Sequence, residues 1–209
     1  MLLYKKLEEY SQQFDQLLIL GVGLDTKPDI LPFLKDKRCF GLDIAVNDIK
    51  KIYQYSNTET STALIECDFN RIHDSNVLIQ LAEHGMDFEK KTYLLWEGAT
   101  FFITANQTYD VLKYLKNNIN IIGCSIDFAN KDVFSPPRHI KVDLFNKCLE
   151  NNNTPWKGFF SDNEIKELFD KLDFTHTEII CLGEIEQPIF SQENLDKDVM
   201  YFVTSTKIS

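Results

Sequence analysis

Four acidic residues stand where four apolar runs of the sequence end. The run "QLLILG" breaks at Gly21-Val22-Gly23, and Asp25 follows two positions on. "RCFGLD" closes on Asp43 with Ile44 behind it, "TALIECDF" on Asp68 and Phe69, and "KTYLLWEG" on Glu97 and Gly98. Short apolar runs closed by glycine or aspartate read as buried strands. In an open α/β sheet, ligands bind outside the carboxyl ends of the strands. The four runs would therefore deliver their acids to one rim. A glycine pair lets a ligand come close to the backbone. Asp43 lies 20 residues beyond Gly23, about the separation at which an acid takes a ribose hydroxyl pair.

The same loop argues against a dinucleotide. A pyrophosphate asks for a third glycine, in G-x-G-x-x-G, and for a helix N-terminus free of carboxylates. Thr26 holds the third position here, and Asp25 would repel phosphate. The rim suits a ligand with ribose, adenine and positive charge but no phosphate. S-adenosyl-L-methionine, with its sulfonium and ammonium, meets that description.

Positioning such a rim takes strands that alternate with helices. Leu3, Leu7, Tyr10 and Phe14 share one face of a short N-terminal helix within residues 1–16. "KPDILPFLKD", "VNDIKKIYQYS" and "DSNVLIQLAEHG" read as helices, the last stopped by Gly85. Thr104 and Gln107 form a capping box at the head of "TANQTYDVLKYLKNN", and Ser161 and Glu164 form another at "SDNEIKELFDKL". "NIIGCSIDF" is a fifth strand. Residues 130–153 are less regular, with one short helix pattern, "IKVDLFNKCLE", and are expected to form a substrate-side insertion. Two β-rich runs close the chain, "FTHTEIICLGEI" and "DVMYFVTSTKI", with a polar loop between Ile185 and Val199. With no helix between them, these two must pair antiparallel. The pattern predicts an α/β fold with helices on both faces of a mostly parallel sheet.

Bulk properties agree with one ordered domain spanning 1–209. Hydrophobic residues make up 44% and charged residues 26% of the chain, so a packed core is expected. The net charge of −10, with no lysine or arginine cluster, disfavours nucleic acid and anionic membrane surfaces as partners. The five cysteines are odd in number and none are spaced as CxxC, which speaks against a disulfide framework or a metal site and for a cytoplasmic location. The charged N-terminus is neither a signal peptide nor a membrane span.

The segments "LILGVGLDTK", "GLDIA", "ECDFNR", "LLWEGATFFIT" and "NNTPWKGFFSDNEIKELFDKLDF", in this order, resemble the leucine carboxyl methyltransferase-like family of S-adenosylmethionine-dependent methyltransferases. The likeness covers about residues 17–205. It implies a Rossmann-like class I methyltransferase fold, seven-stranded with an antiparallel last strand. It also implies that Gly21, Val22 and Gly23 lie against the methionine end of the cofactor, in a loop shaped by Asp25 and Thr26. Asp43 with Ile44 would meet the ribose, Asp68 and Phe69 the adenine, and Glu97 with Gly98 the amino end near the methyl group. Lys27 stands where many members carry arginine. Members usually have a longer N-terminal helical cap; about 16 residues precede the first strand here, so either the cap is missing or another region, residues 130–153 being the candidate, does its work.

Methyl transfer from a sulfonium is an in-line displacement in which alignment does most of the work. A carboxylate acceptor is already ionised at neutral pH, with a free pKa of about 4. A hydroxyl acceptor needs a base, most simply histidine. Of the four histidines, His139 in "PPRH" follows the fifth strand and is the candidate base, with Arg138 as a candidate anion contact. Phe101 and Phe102 are candidates for the acceptor pocket, whereas Trp96 and Trp156 read as structural. The reading is an O-methyltransferase for a small molecule or protein terminus. A non-catalytic S-adenosylmethionine-binding scaffold and, further off, a nicotinamide-dependent oxidoreductase are the alternatives.

Overall fold

The apolar runs become strands because their side chains alternate between two buried faces. The computed structural model describes residues 2–186 and 199–207. In β1 (Gln16–Leu20), Leu18 and Leu20 enter one core while Leu17 and Ile19 enter the other. Such a strand, buried on both sides, is what a parallel sheet covered by helices requires.

β2 (Arg38–Asp43), β3 (Ala63–Glu66), β4 (Thr92–Trp96) and β5 (Ile121–Asn130) join β1 in parallel, and β7 (His176–Cys181) and β8 (Met200–Thr206) complete the sheet in the order β3-β2-β1-β4-β5-β8-β7. β8 runs antiparallel to both β5 and β7, as expected for the closing hairpin. A two-residue strand, β6 (Phe159–Phe160), adds beside the end of β5 and makes eight among the described residues. The order turns about β1 and β4, and a sheet of this kind opens its crevice there.

α1 (Leu2–Glu9) and α3 (Val46–Ser56) cover one face through Leu3, Leu7, Val46 and Ile49. α4 (Val77–Glu83), α5 (Ala105–Asn118) and α8 (Asp162–Lys171) cover the other through Val77, Leu81, Val111, Leu115, Ile165 and Phe169. Both capping boxes are present, Thr104 with Gln107 and Ser161 with Glu164. Gly85 ends α4 at φ +85°.

Two helices differ from the sequence pattern. "KPDILPFLKD" yields only α2 (Lys27–Ile30) and a 3-10 turn at Pro32–Leu34. Leu31 is extended, at φ −88° and ψ 118°, because the proline after it excludes the helical region. At the other end, "LGEI" does not continue β7 past Cys181 but coils into α9 (Leu182–Glu186). The polar loop expected after Ile185 falls mainly on 187–198, outside the described residues. Between β5 and β6, residues 130–153 hold α6 (Lys131–Phe134) and α7 (Ile140–Asn151). Among the described residues no helix is long and apolar enough to cross a membrane, and no group of three or more His, Cys, Asp or Glu could hold a metal ion.

Candidate active site

The carboxyl ends of β1, β2, β3 and β4 meet as expected, tied by backbone hydrogen bonds. Gly21 N and Val22 N both donate to Leu42 O, at 2.8 and 3.1 Å, and Cys67 N donates to Asp43 O at 3.0 Å. Gly21 sits at φ +62°, and a Cβ there would stand 2.5 Å from the Ala99 Cβ. No side chain fits at this point, so bare backbone forms the wall between two cavities.

The first cavity, about 390 Å³, is lined by Gly21, Asp43, Ile44, Asp68, Phe69 and Gly98, and further by Cys67, Asn70, Ala99, Phe102 and Ile103. The Asp43 carboxylate is clamped: Oδ2 accepts from Gly23 N at 2.9 Å and Oδ1 from Ala45 N at 2.8 Å. A carboxylate has about four acceptor sites, so each oxygen retains one for a ligand hydroxyl. Asp68 caps the 3-10 turn Phe69–Arg71 by accepting from Asn70 N at 2.9 Å, and Gln107 holds Asn70 from α5. Phe69 lies against the buried Trp96, with ring centroids 5.4 Å apart. Burial pushes the Cys67 thiol up to about 11, so it lines the cavity as a neutral group.

The second cavity, about 350 Å³, shares Gly21 with the first and is lined by Val22, Leu24, Asp25, Thr26, Lys27 and Glu97. Its floor is an ion triad. The Lys27 ammonium is 3.0 Å from Asp25 Oδ2 and 2.7 Å from Glu97 Oε2. Partial burial works against the Lys27 charge, but the bond to Glu97 and the fields of both acids outweigh it and hold the pKa above the ordinary lysine value. Two carboxylates against one ammonium leave net negative charge, with both signs presented at once. Such a surface can take the amino and carboxylate groups of an amino-acid moiety together.

One residue at the rim was not among those picked out from the sequence. Asp127, near the end of β5, is 3% exposed. Its carboxylate accepts from Gly98 N, at 2.8 Å to Oδ2 and 3.0 Å to Oδ1. Its own carbonyl accepts from the Thr100 hydroxyl at 2.6 Å. Burial pushes its carboxyl up to about 7 against the lowering by the Gly98 bond, and the Glu97 charge adds to the rise. The sequence signal was weak: Asp127 stands inside the fifth apolar run, with Phe128, Ala129 and Asn130 following it in β5.

The acceptor-side candidates are placed unevenly. Phe102 lines the first cavity and is 43% exposed. Phe101, the next residue, is 5% exposed and stacks on Trp156 at 4.4 Å, inside a small core with Ala129 and Phe134. It therefore packs rather than lining a cavity. His139 and Arg138 line neither cavity. His139 is the N-cap of α7, with Nδ1 accepting from Lys141 N at 3.2 Å. With Nδ1 so used, a neutral ring carries its proton on Nε2 and has no free lone pair to act as a base. Arg138 pairs with Asp143 at 2.9 Å and donates to Phe134 O.

A model of the leucine carboxyl methyltransferase family matches residues 5–116. The chain belongs to the leucine carboxyl methyltransferase family. Its cofactor is accordingly S-adenosylmethionine, and its reaction a methyl transfer. Solved structures agree in fold. A DUF574-family protein from Streptomyces avermitilis MA-4680 superposes with a TM-score of 0.71 at 15% identity, covering 99% of this chain and 81% of that one. A candidate methyltransferase from Thermobifida fusca YX gives 0.68 at 13% identity, covering 99% and 79%. Magnesium protoporphyrin IX methyltransferase from Synechocystis PCC 6803, solved with bound S-adenosylhomocysteine, gives 0.56 at 9% identity, covering 99% and 82%. No curated protein matches the sequence. Gly21 leaves backbone bare between the cavity bordered by Asp43 and Asp68 and the cavity floored by Asp25, Lys27 and Glu97.

Proposed function

We propose that this protein methylates oxygen, on a carboxylate or hydroxyl of a small molecule or protein terminus, and that the two cavities meeting at Gly21 hold its cofactor. The observation that carries the reading is this division of chemistry on either side of one bare glycine. Asp43 takes the ribose hydroxyls on its spare lone pairs. Asp68 takes the adenine amino group, with Phe69 and Ile44 against the ring. Asp25 and Glu97 take the ammonium, and Lys27 takes the carboxylate as a point charge. The bound cofactor supplies an electrophilic methyl group on its sulfonium. Glu97, Gly98 and Phe102 then bound the space from which an acceptor approaches, and their task is alignment.

A carboxylate is the favoured acceptor. The family takes its description from carboxyl methylation. Among the described residues no histidine lines either cavity, and a carboxylate, with a pKa of about 4, needs no base. We read the chain as one domain acting in the cytoplasm. Cys39, Cys67, Cys124 and Cys148 are free thiols, and burial pushes that of Cys39 up to about 12, which suits a reducing compartment.

The test is calorimetric titration with S-adenosylhomocysteine, with NADH run beside it, followed by transfer of labelled methyl to a panel of carboxylates and alcohols. Binding of S-adenosylhomocysteine alone, with label on a carboxylate, is the expected result. Binding of NADH alone overturns the site. Cofactor binding without transfer to any oxygen leaves a cofactor-binding protein and overturns the reaction.

A further inference from the structure

We propose that Asp127 is a positioning residue of the methyl transfer, whose ionised carboxylate pins the Glu97–Gly98 turn and so holds the wall shared by the two cavities. The inference rests on the cofactor site read above. The geometry is specific. Gly98 lines the adenosine-side cavity at φ +74°, a left-handed backbone that other residues avoid. Gly98 N donates to both carboxylate oxygens of Asp127. The Thr100 hydroxyl binds the Asp127 carbonyl from two residues beyond. The turn that carries Glu97 on one side and Ala99, the stop behind Gly21, on the other is thus fastened to β5 through one residue.

The charged groups around Asp127 are few. Glu97 at the end of β4 opposes its charge and Lys27 from α2 favours it. β8 faces it with Phe202 in register, and the Thr100–Phe102 turn faces it with a neutral hydroxyl. A carboxylate buried at this spot is poised near neutrality, with burial pushing it up to about 7. When ionised, it makes a charge-assisted bond to Gly98 N. When protonated, it presents a hydroxyl that must find its own acceptor, and the turn loosens. It also loses a negative charge beside a site that takes a cationic ligand.

For fold stability the sign is opposite. A carboxyl whose folded pKa stands above its ordinary 3.8 favours the fold when protonated. That contribution is fully present below the ordinary value and is lost as pH rises through about 7. The ionised acid is thus held at a cost to the fold, as positioning residues often are. A merely structural acid would show the reverse.

The experiment measures S-adenosylhomocysteine affinity from pH 6 to 8 for the wild type and for Asp127→Asn, with melting temperatures alongside. If the ionised form binds, wild-type affinity rises about tenfold across this range, one proton being coupled to binding. Asp127→Asn removes that rise, binds about tenfold more weakly than wild type at pH 8, and melts no lower than wild type there. The ligand's amino group titrates in both proteins, so the difference between the two isolates Asp127. Equal pH dependence in both, or unchanged affinity in Asp127→Asn at pH 8, overturns the inference and leaves the cofactor site standing. Failure of the wild type to bind at any pH overturns both. If Asp127→Asn does not fold, the wild-type profile decides: a flat one overturns the inference.

Discussion

The two sides of the rim are built in contrasting ways. From Gly21 to Gly98 the polar side chains are clamped. Asp43 is held by two backbone amides, Lys27 by two acids, and Asp68 by the turn it caps. Across residues 135–154 the construction is loose. α7 buries none of its residues and exposes Ile140 and, one turn on, Leu144 and Phe145. It is fastened to the body mainly through Phe145, which meets Trp156 at 5.0 Å and Phe134 at 6.3 Å. A cofactor common to a family needs a preorganised seat, because misplacement by a fraction of an ångström weakens alignment. An acceptor that varies between members needs a surface that tolerates change, and such surfaces sit on weakly packed elements.

The contrast breaks most visibly at Gly21. Gly21→Val places a branched side chain where even a Cβ stands 2.5 Å from Ala99, on a backbone at φ +62°. Both cavities lose their shared wall. Loss of measurable S-adenosylhomocysteine binding is expected, with a stability loss of about 1–3 kcal/mol from the left-handed backbone and the overlap. Calorimetry and thermal unfolding check it, and wild-type affinity would show that the wall is not where the cofactor lies.

Asp43→Ala is the next step down. It strands Gly23 N and Ala45 N together. Cofactor affinity should fall by about 1–3 kcal/mol, the cost of unsatisfied partners, with the fold intact. Titration beside a melting curve separates the two effects. A Kd equal to that of the wild type would remove Asp43 from the ribose.

Much of the clamped side was legible in the sequence because its signals are local. A glycine or an acid at the end of an apolar run marks a strand end, and both capping boxes are spelled in four residues. What escaped was non-local. Asp127 looked like one polar residue inside a strand, and only the sheet brings it to Gly98, 29 residues away. β6 has two residues, too few to show a period. Phe101 and Phe102 are identical neighbours, and only the 3-10 turn decides that one packs on Trp156 while the other faces the cavity. His139 was weighed as a base from its place after β5, but a residue after a strand can also open the next helix, and that is its use here.

The smallest effect is expected there, on the loose side. His139 caps α7 through Nδ1 and lines neither cavity. His139→Ala should cost at most about 1 kcal/mol of stability, the usual worth of an N-cap. Turnover with a carboxylate acceptor should stay within about threefold of wild type, whereas loss of a general base costs about 100-fold or more. The pH dependence sharpens the distinction. If His139 were the base, turnover would fall on acidification, and that fall would vanish in His139→Ala. If His139 only caps the helix, wild type and variant share one pH profile, and whatever fall remains below about pH 7 belongs to Asp127. A 100-fold loss in His139→Ala, with cofactor affinity unchanged, would instead bring α7 over the acceptor and make the loose side part of the chemistry.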